Sequence, residues 1–262
     1  MKSRASSSSA AKAYRQAGHD NALKFALTIG LSADYQNDKK AKKDVIDPSG
    51  DAHSVKSGEK KWQIFLYSRK RFLEDDGFQA LNSIGTLLVH CIDAFPPSFS
   101  EYKNNPKASK ERLRTPMREI KDRLQRKALL RAFLAKSMFN GGEVDYLTAF
   151  YQNKFYVFHN SDVIKVMGEY FDVENSKTNE KKGGIPEQKV IFRYNEKTVG
   201  ELEMRNDSPT HYQEVRFNMN IEPFMQLVLS KIPDKKEYNK DVYVYGFANK
   251  KFGRWKQSNN NI

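Results

Sequence analysis

Asp44-Val45-Ile46-Asp47-Pro48-Ser49-Gly50-Asp51-Ala52-His53-Ser54-Val55-Lys56 is the stretch on which the reading of this chain turns. Residues 43–47 carry two β-branched side chains at their centre, and Pro48-Ser49-Gly50-Asp51 combines residue types that favour a tight turn. Residues 52–57 then return as a second strand. Side chains alternate along a strand, so Ser54 and Lys56 share one face while His53 and Val55 share the other. On the first strand Asp44 and Ile46 point oppositely to Val45 and Asp47. With Val45 and Val55 directed to a core, Asp44 is expected on the same side as Ser54 and Lys56. A carboxylate, a hydroxyl and an ammonium group then converge.

That constellation suits a Mg2+-dependent phosphodiesterase. A carboxylate anchors the cation, which activates water and neutralises phosphate. A lysine orients the attacking water and stabilises charge developing on phosphorus. Ser54 stands where a second acid is expected, so Asp47 is the candidate second metal ligand beside Asp44, from the looser end of its strand. Asp20, on a preceding helix, is the candidate auxiliary acid. The plainer alternative is a surface hairpin closed by a salt bridge. His53 and His211 are weighed as catalytic bases, against the ordinary reading of a packed or solvated histidine.

Outward from the hairpin, residues 1–9 are Ser-rich and read as a disordered tail. Tyr14, Ala17, Leu23, Phe25, Ala26 and Ile29 space an amphipathic helix over 10–31, with Gly30 at its end. Trp62-Gln63-Ile64-Phe65-Leu66-Tyr67 is apolar enough for a buried central strand following the first two. Residues 78–95 read as an apolar helix stopped by Pro96-Pro97, and Thr115-Pro116 as the start of another running to about Met138. Asn140-Gly141-Gly142 breaks the pattern. Beyond it the chain turns to β character, with strands expected at 144–150, 155–159, 187–194, 198–204 and 212–218 and a helix at 162–170.

The charge is lopsided. The 262 residues carry a formal +13, which favours polyanionic partners. Between Glu101 and Lys136 twelve cations face four anions, a net of +8 in one segment. This is either a solvated helix face or a contact to phosphate. Cys91 is the only cysteine, which excludes an internal disulfide and a multi-thiolate zinc site. The first residues lack the apolar centre of a signal peptide and no stretch approaches a membrane span, so a cytoplasmic, intracellular protein is expected.

Asp44 with Ser54-Val55-Lys56 resembles the PD-(D/E)xK nuclease motif, in a form whose middle acid is replaced and whose first acid lacks the preceding proline. The strand from Trp62 to Tyr67 sits where that family's next core strand falls, which places Gln63 at the catalytic centre. The helix with Asp20 resembles the family's N-terminal helix, which often donates an acid. A closer likeness is to small type II restriction endonucleases that cut four-base, GC-containing palindromes. Gly200-Glu201-Leu202-Glu203-Met204-Arg205 and Glu214-Val215-Arg216-Phe217-Asn218-Met219 resemble their paired recognition strands. The resemblance implies hydrolysis by in-line water attack leaving a 5′-phosphate.

The loop between those strands holds residue types that read base edges: Arg205, Asn206, Asp207, Ser208, His211, Gln213 and Glu214, with Arg216 and Asn218 following on one face. Such residues are also common turn formers. Lys177, Lys181 and Lys182 lie in a glycine-containing segment suited to a phosphate contact or a flexible linker.

The expectation is therefore an α/β protein with a mixed central sheet flanked by helices, restriction-endonuclease-like. Residues 10–140 form the catalytic core and 141–262 a β-rich recognition portion. The expected activity is Mg2+-dependent cleavage of double-stranded DNA at a short sequence, by a monomer or homodimer. The rivals are a non-catalytic DNA-binding protein and a structure-specific repair or recombination nuclease.

Overall fold

A computed structural model describes residues 8–178 and 184–255. The strands, in chain order, are β1 (Val45–Ile46), β2 (Ala52–Lys56), β3 (Lys61–Tyr67), β4 (Tyr146–Tyr151), β5 (Lys154–His159), β6 (Asp172–Asn175), β7 (Lys189–Tyr194), β8 (Lys197–Arg205), β9 (Glu214–Asn220), β10 (Lys236–Asn239) and β11 (Val242–Tyr245). The helices are α1 (Ser8–Thr28), α2 (Arg69–Glu74), α3 (Asp76–Gln79), α4 (Ile84–Asp93), α5 (Phe99–Asn104), α6 (Pro106–Leu124), α7 (Lys127–Phe139), α8 (Asn160–Tyr170), α9 (Ile221–Lys231) and α10 (Ala248–Lys251). Together they make a mixed α/β protein with two sheets rather than one central sheet. The six-stranded sheet runs β1-β2-β4-β5-β11-β10 and the five-stranded sheet β3-β9-β8-β7-β6. No helix among the described residues is long and apolar enough to cross a membrane.

Packing divides the chain into two compact units, each assembled from separated segments. One comprises Met1–Trp62, Ala135–Met167 and Met225–Ile262, the other Gln63–Leu134 and Gly168–Phe224. Neither coincides with the contiguous portions 10–140 and 141–262.

In the first unit β2 pairs antiparallel with β1 and parallel with β4, and β5 pairs parallel with β11. One face of this sheet buries Val45, Val55, Tyr146, Phe155, Val157, Val242 and Val244 against Phe25, Ala26 and Ile29 of α1 and Ala248 of α10. Each large apolar side chain fully buried there contributes about 1.5–3 kcal/mol. The 3–4 residue spacing from Ala22 to Ile29 puts these positions on one stripe of α1. The helix begins at Ser8, inside the tail expected over 1–9, and ends at Thr28, before the expected Leu31. Residues 1–7 lie outside the described residues. Gly30, at φ 93°, takes the left-handed conformation that closes a helix C-terminus.

In the second unit, one face of the sheet buries Val190, Phe192, Leu202, Val215, Phe217 and Met219. Gly200 lies within this face, and a Cβ there would stand 2.9 Å from Met219 Sδ. The opposite face carries Lys189, Glu201, Glu203, Arg216 and Asn218 in cross-strand register.

The helices differ from expectation for local reasons. The 78–95 helix is interrupted by Asn82 and Ser83, both at positive φ, so it appears as α3 and α4. Helix α6 starts at Pro106, where the Asn105 side chain accepts a hydrogen bond from the Ala108 N–H, and Pro116 lies inside it. It ends at Leu124, and α7 completes the stretch expected as one helix.

Candidate active site

The register Val45↔His53 and Ile46↔Ala52 brings Asp44 opposite Ser54. The Val55 backbone N–H donates to Asp44 Oδ2 at 2.8 Å, and the Ser54 hydroxyl lies 3.4 Å from the same oxygen. Lys56 Nζ is 4.0 Å from it, with the Asp44 and Lys56 side chains 27% and 19% exposed. The structure thus brings Asp44, Ser54 and Lys56 together, with Ser54 buried and the two charged groups partly exposed. They lie on the sheet face opposite Val45 and Val55. Ser54 is level with Leu147 and Lys56 with Ala149 on β4.

One contributor went unnoticed in the sequence. The Tyr35 phenol is pushed above its usual range by burial and then by the negative charge of Asp44. It lies in a polar stretch with no periodicity, so no sequence signal linked it to the hairpin.

The other expected members are elsewhere. Asp47 points to the opposite face, with its side chain fully buried beside His53, and its Oδ1 accepts the N–H groups of Ser49 (2.8 Å) and Asp51 (3.1 Å). It clamps the turn, in which Gly50 adopts φ 84°, and is not a second ligand beside Asp44. Asp20 is exposed and accepts a hydrogen bond from Gln16 at 2.9 Å. At 100° per residue it falls on the side of α1 away from Ala22 and Ile29, so it is not delivered to the sheet. Gln63 is exposed on β3, an edge strand of the other sheet, whereas the sheet neighbours of β2 are β1 and β4. Among the described residues no group of three or more His, Cys, Asp or Glu is placed to hold a metal ion.

His53 lies on the buried face of the sheet, level with Val45. Its Nδ1 lies 3.0 Å from Thr148 Oγ1 and its Nε2 3.4 Å from Asp47 Oδ2, and its ring stacks on Tyr146 with centroids 4.6 Å apart. It is a satisfied, fully buried core histidine.

The expected recognition residues are largely engaged within the protein. Arg205 Nε donates to Asp207 at 2.7 Å, and Arg216 Nε to Glu203 at 3.1 Å. Although burial alone would raise it, the Glu203 carboxyl is held below its usual range by Lys189 and Arg216. His211 Nδ1 lies 2.7 Å from Glu214. Gln213 donates to the carbonyls of Phe95 (3.1 Å) and Pro96 (2.9 Å), and Tyr212 donates to Pro96 at 2.8 Å. The loop is therefore tied down by side chains expected to face bases. Arg216 and Asn218 share a face as alternation requires, but Asn218 is 7% exposed. Asn206 and Ser208 are half-buried. Lys177 is 90% exposed beside Glu174, while Lys181 and Lys182 lie outside the described residues. No family model matches the chain, and no characterised protein or solved structure is significantly similar to it.

Proposed function

We propose that this chain is a divalent-cation-dependent endonuclease acting on double-stranded DNA, of the PD-(D/E)xK type and with the short-sequence specificity of a restriction enzyme. The observation that carries this is the convergence of Asp44, Ser54 and Lys56 from two adjacent strands onto one point, at which Asp44 and Lys56 are partly exposed. The donor set suits Mg2+, which is held through one or two carboxylates and otherwise keeps water and substrate phosphate oxygens. Asp44 would hold the ion, with the Ser54 hydroxyl beside it. When bound, the ion lowers the pKa of coordinated water and neutralises phosphate charge.

Lys56 has two roles in this reading. Its ammonium group orients a water molecule toward phosphorus, and it offsets the negative charge that accumulates there. Attack forms a P–O bond to water as the bond to the 3′-oxygen breaks. The leaving oxygen takes up a proton, and the 5′-phosphate remains on the other fragment. The Val55 N–H, fixed in the strand, keeps the Asp44 carboxylate oriented.

One observation favours a second reading. With Asp20 and Asp47 directed away from Asp44, a single acid stands there among the described residues where the family commonly has two, which fits a DNA-binding protein that does not cut. Long phage DNA incubated with Mg2+, with EDTA, and with Lys56→Ala separates the readings. Discrete, cation-dependent fragments lost in the variant support a restriction nuclease, and a smear supports a structure-specific one. Intact DNA in every lane refutes cleavage.

A further inference from the structure

Most of the cationic residues of α6 are aligned. Lys107, Lys110, Arg114, Arg118 and Lys121 follow one another at intervals of three and four. At 100° per residue they fall within an arc of about 80°. Glu111, Glu119 and Asp122 of the same helix fall outside that arc, and Leu113, Met117, Ile120 and Leu124 are buried. Five of the seven cations thus line up as a straight stripe, while Arg112 and Arg123 lie outside it, Arg114 Nη1 donates to Glu111 at 3.0 Å and Asp122 pairs with Lys121. From Lys107 to Lys121 it is about 21 Å long at 1.5 Å per residue. One strand of B-form DNA rises 3.4 Å per nucleotide along the duplex axis while winding around it, so that length spans about six nucleotides of axial rise, of which a straight stripe meets the phosphates on the near side.

The stripe borders a groove. A cavity of about 640 Å3 is lined by Arg114, Lys121 and Gln125 from the helix side and by Ser176, Thr178 and Glu187 from the connection between β6 and β7. Thr178 Oγ1 is buried there without a hydrogen-bond partner among the described residues. At the middle of the stripe Arg118 grips Glu187 with a two-pronged fork, Nε to Oε1 at 3.0 Å and Nη2 to Oε2 at 2.7 Å. Arg114 Nε adds a third bond to Oε2 at 3.1 Å. A carboxylate held this way presents two oxygens to two guanidinium groups, as the non-bridging oxygens of a phosphodiester would. Glu187 reaches this place at φ 61°, a left-handed conformation unusual for glutamate, so its surroundings fix it there.

We propose that this groove takes the phosphate backbone of one strand of duplex DNA, and that Glu187 occupies the central phosphate position while the groove is empty. The groove binds without reading sequence, since phosphate contacts fix register and carry no base information. The inference shares with the proposed function only the identity of the partner and does not need the hydrolytic step. DNA displaces the Glu187 carboxylate from Arg114 and Arg118, while Lys107, Lys110 and Lys121 contact flanking phosphates.

The test is anisotropy of a labelled 20-base-pair duplex titrated with the full chain in EDTA, at salt concentrations from 50 to 200 mM. The triple variant Lys107→Gln/Lys110→Gln/Lys121→Gln, which leaves the Glu187 clamp intact, should lower the slope of log affinity against log salt by about 2.7, at about 0.9 per phosphate. Glu187→Gln should raise affinity several-fold, because the internal competitor loses its charge. Thermal melting of each variant confirms that it is folded. The proposal is overturned if the folded triple variant keeps the wild-type affinity and slope. It is also overturned if folded Glu187→Gln binds no more tightly than wild type. In both cases metal-dependent cleavage by the wild type stands as a separate result. A wild type that binds no duplex at any salt in EDTA refutes this groove, and the Mg2+ cleavage assay then decides the nuclease reading by itself.

Discussion

Asp44 holds a strand in place and carries the proposed chemistry, and two substitutions separate these roles. Its Oδ2 accepts the Val55 N–H at 2.8 Å and lies 3.4 Å from the Ser54 hydroxyl. Asp44→Ala leaves that partly buried N–H without an acceptor, which costs about 1–3 kcal/mol. Asp44→Asn keeps a neutral acceptor in the same position, and since charge-assisted bonds are roughly twice as strong as neutral ones, the loss is about 1 kcal/mol. The ion pair with Lys56, at 4.0 Å between partly exposed groups, adds no more than about 1 kcal/mol. Urea unfolding should therefore rank wild type, Asn and Ala in falling order. Cleavage should not follow that ranking. Both variants lose the carboxylate proposed to anchor the cation, and a loss of several kcal/mol of transition-state stabilisation corresponds to about 10³-fold in rate. Retention by Asp44→Asn of cleavage within about tenfold of wild type would refute the assignment of Asp44 as the cation's anchor.

His159 provides a pH-dependent test. Burial, and then the positive charge of Lys251, holds its imidazole below the usual range, while its Nδ1 accepts the Ser161 N–H at 3.2 Å. A depressed folded-state pKa gives stability that is complete above the ordinary imidazole range and declines as pH falls through the folded value. The drop in Tm between pH 7 and pH 5 should thus be smaller in His159→Gln, and parallel profiles would contradict the assignment. Gly85 lies in α4, where Gly→Ala ordinarily gains about 1 kcal/mol. Here an added Cβ would stand 2.8 Å from the backbone oxygen of Phe78, which cannot swing aside, so Gly85→Ala should instead lose about 1–3 kcal/mol. A rise in Tm would show that the close approach relaxes freely.

What the sequence revealed was local. Strand alternation and the Pro48–Asp51 turn were enough to bring Asp44, Ser54 and Lys56 to one face, and the Ala22–Ile29 spacing located the buried side of α1. Long-range partners were not legible. The apolar run of β3 read as a central strand next to β2 because successive buried residues look alike wherever they pack. Ile64 and Phe65 are indeed both buried, but on an edge strand, with Phe65 meeting Phe72 and Phe78. Asn105-Pro106 carries the same cap-and-proline signal as Thr115-Pro116, and only the packed helix selects between them. The internal partners of the loop before β9 were hidden for a related reason. Gln213 has the chemistry to read DNA, yet it donates to carbonyls more than a hundred residues earlier in the chain. Asp47 and Asp20 were placed by residue type, and strand parity and helix phase sent them elsewhere.

The position of β11 has a consequence during biosynthesis. It lies between β5 and β10, so the sheet that carries Asp44 and Lys56 lacks two of its six strands until Tyr245 has been made. At 5–20 residues per second, the roughly 190 residues from Lys56 onward take about 10–40 seconds to translate. Throughout that interval the acid and the lysine exist on a nascent polypeptide whose supporting layer is unfinished. A ribosome-bound or prematurely terminated product therefore carries Asp44 and Lys56 without the completed sheet that holds them.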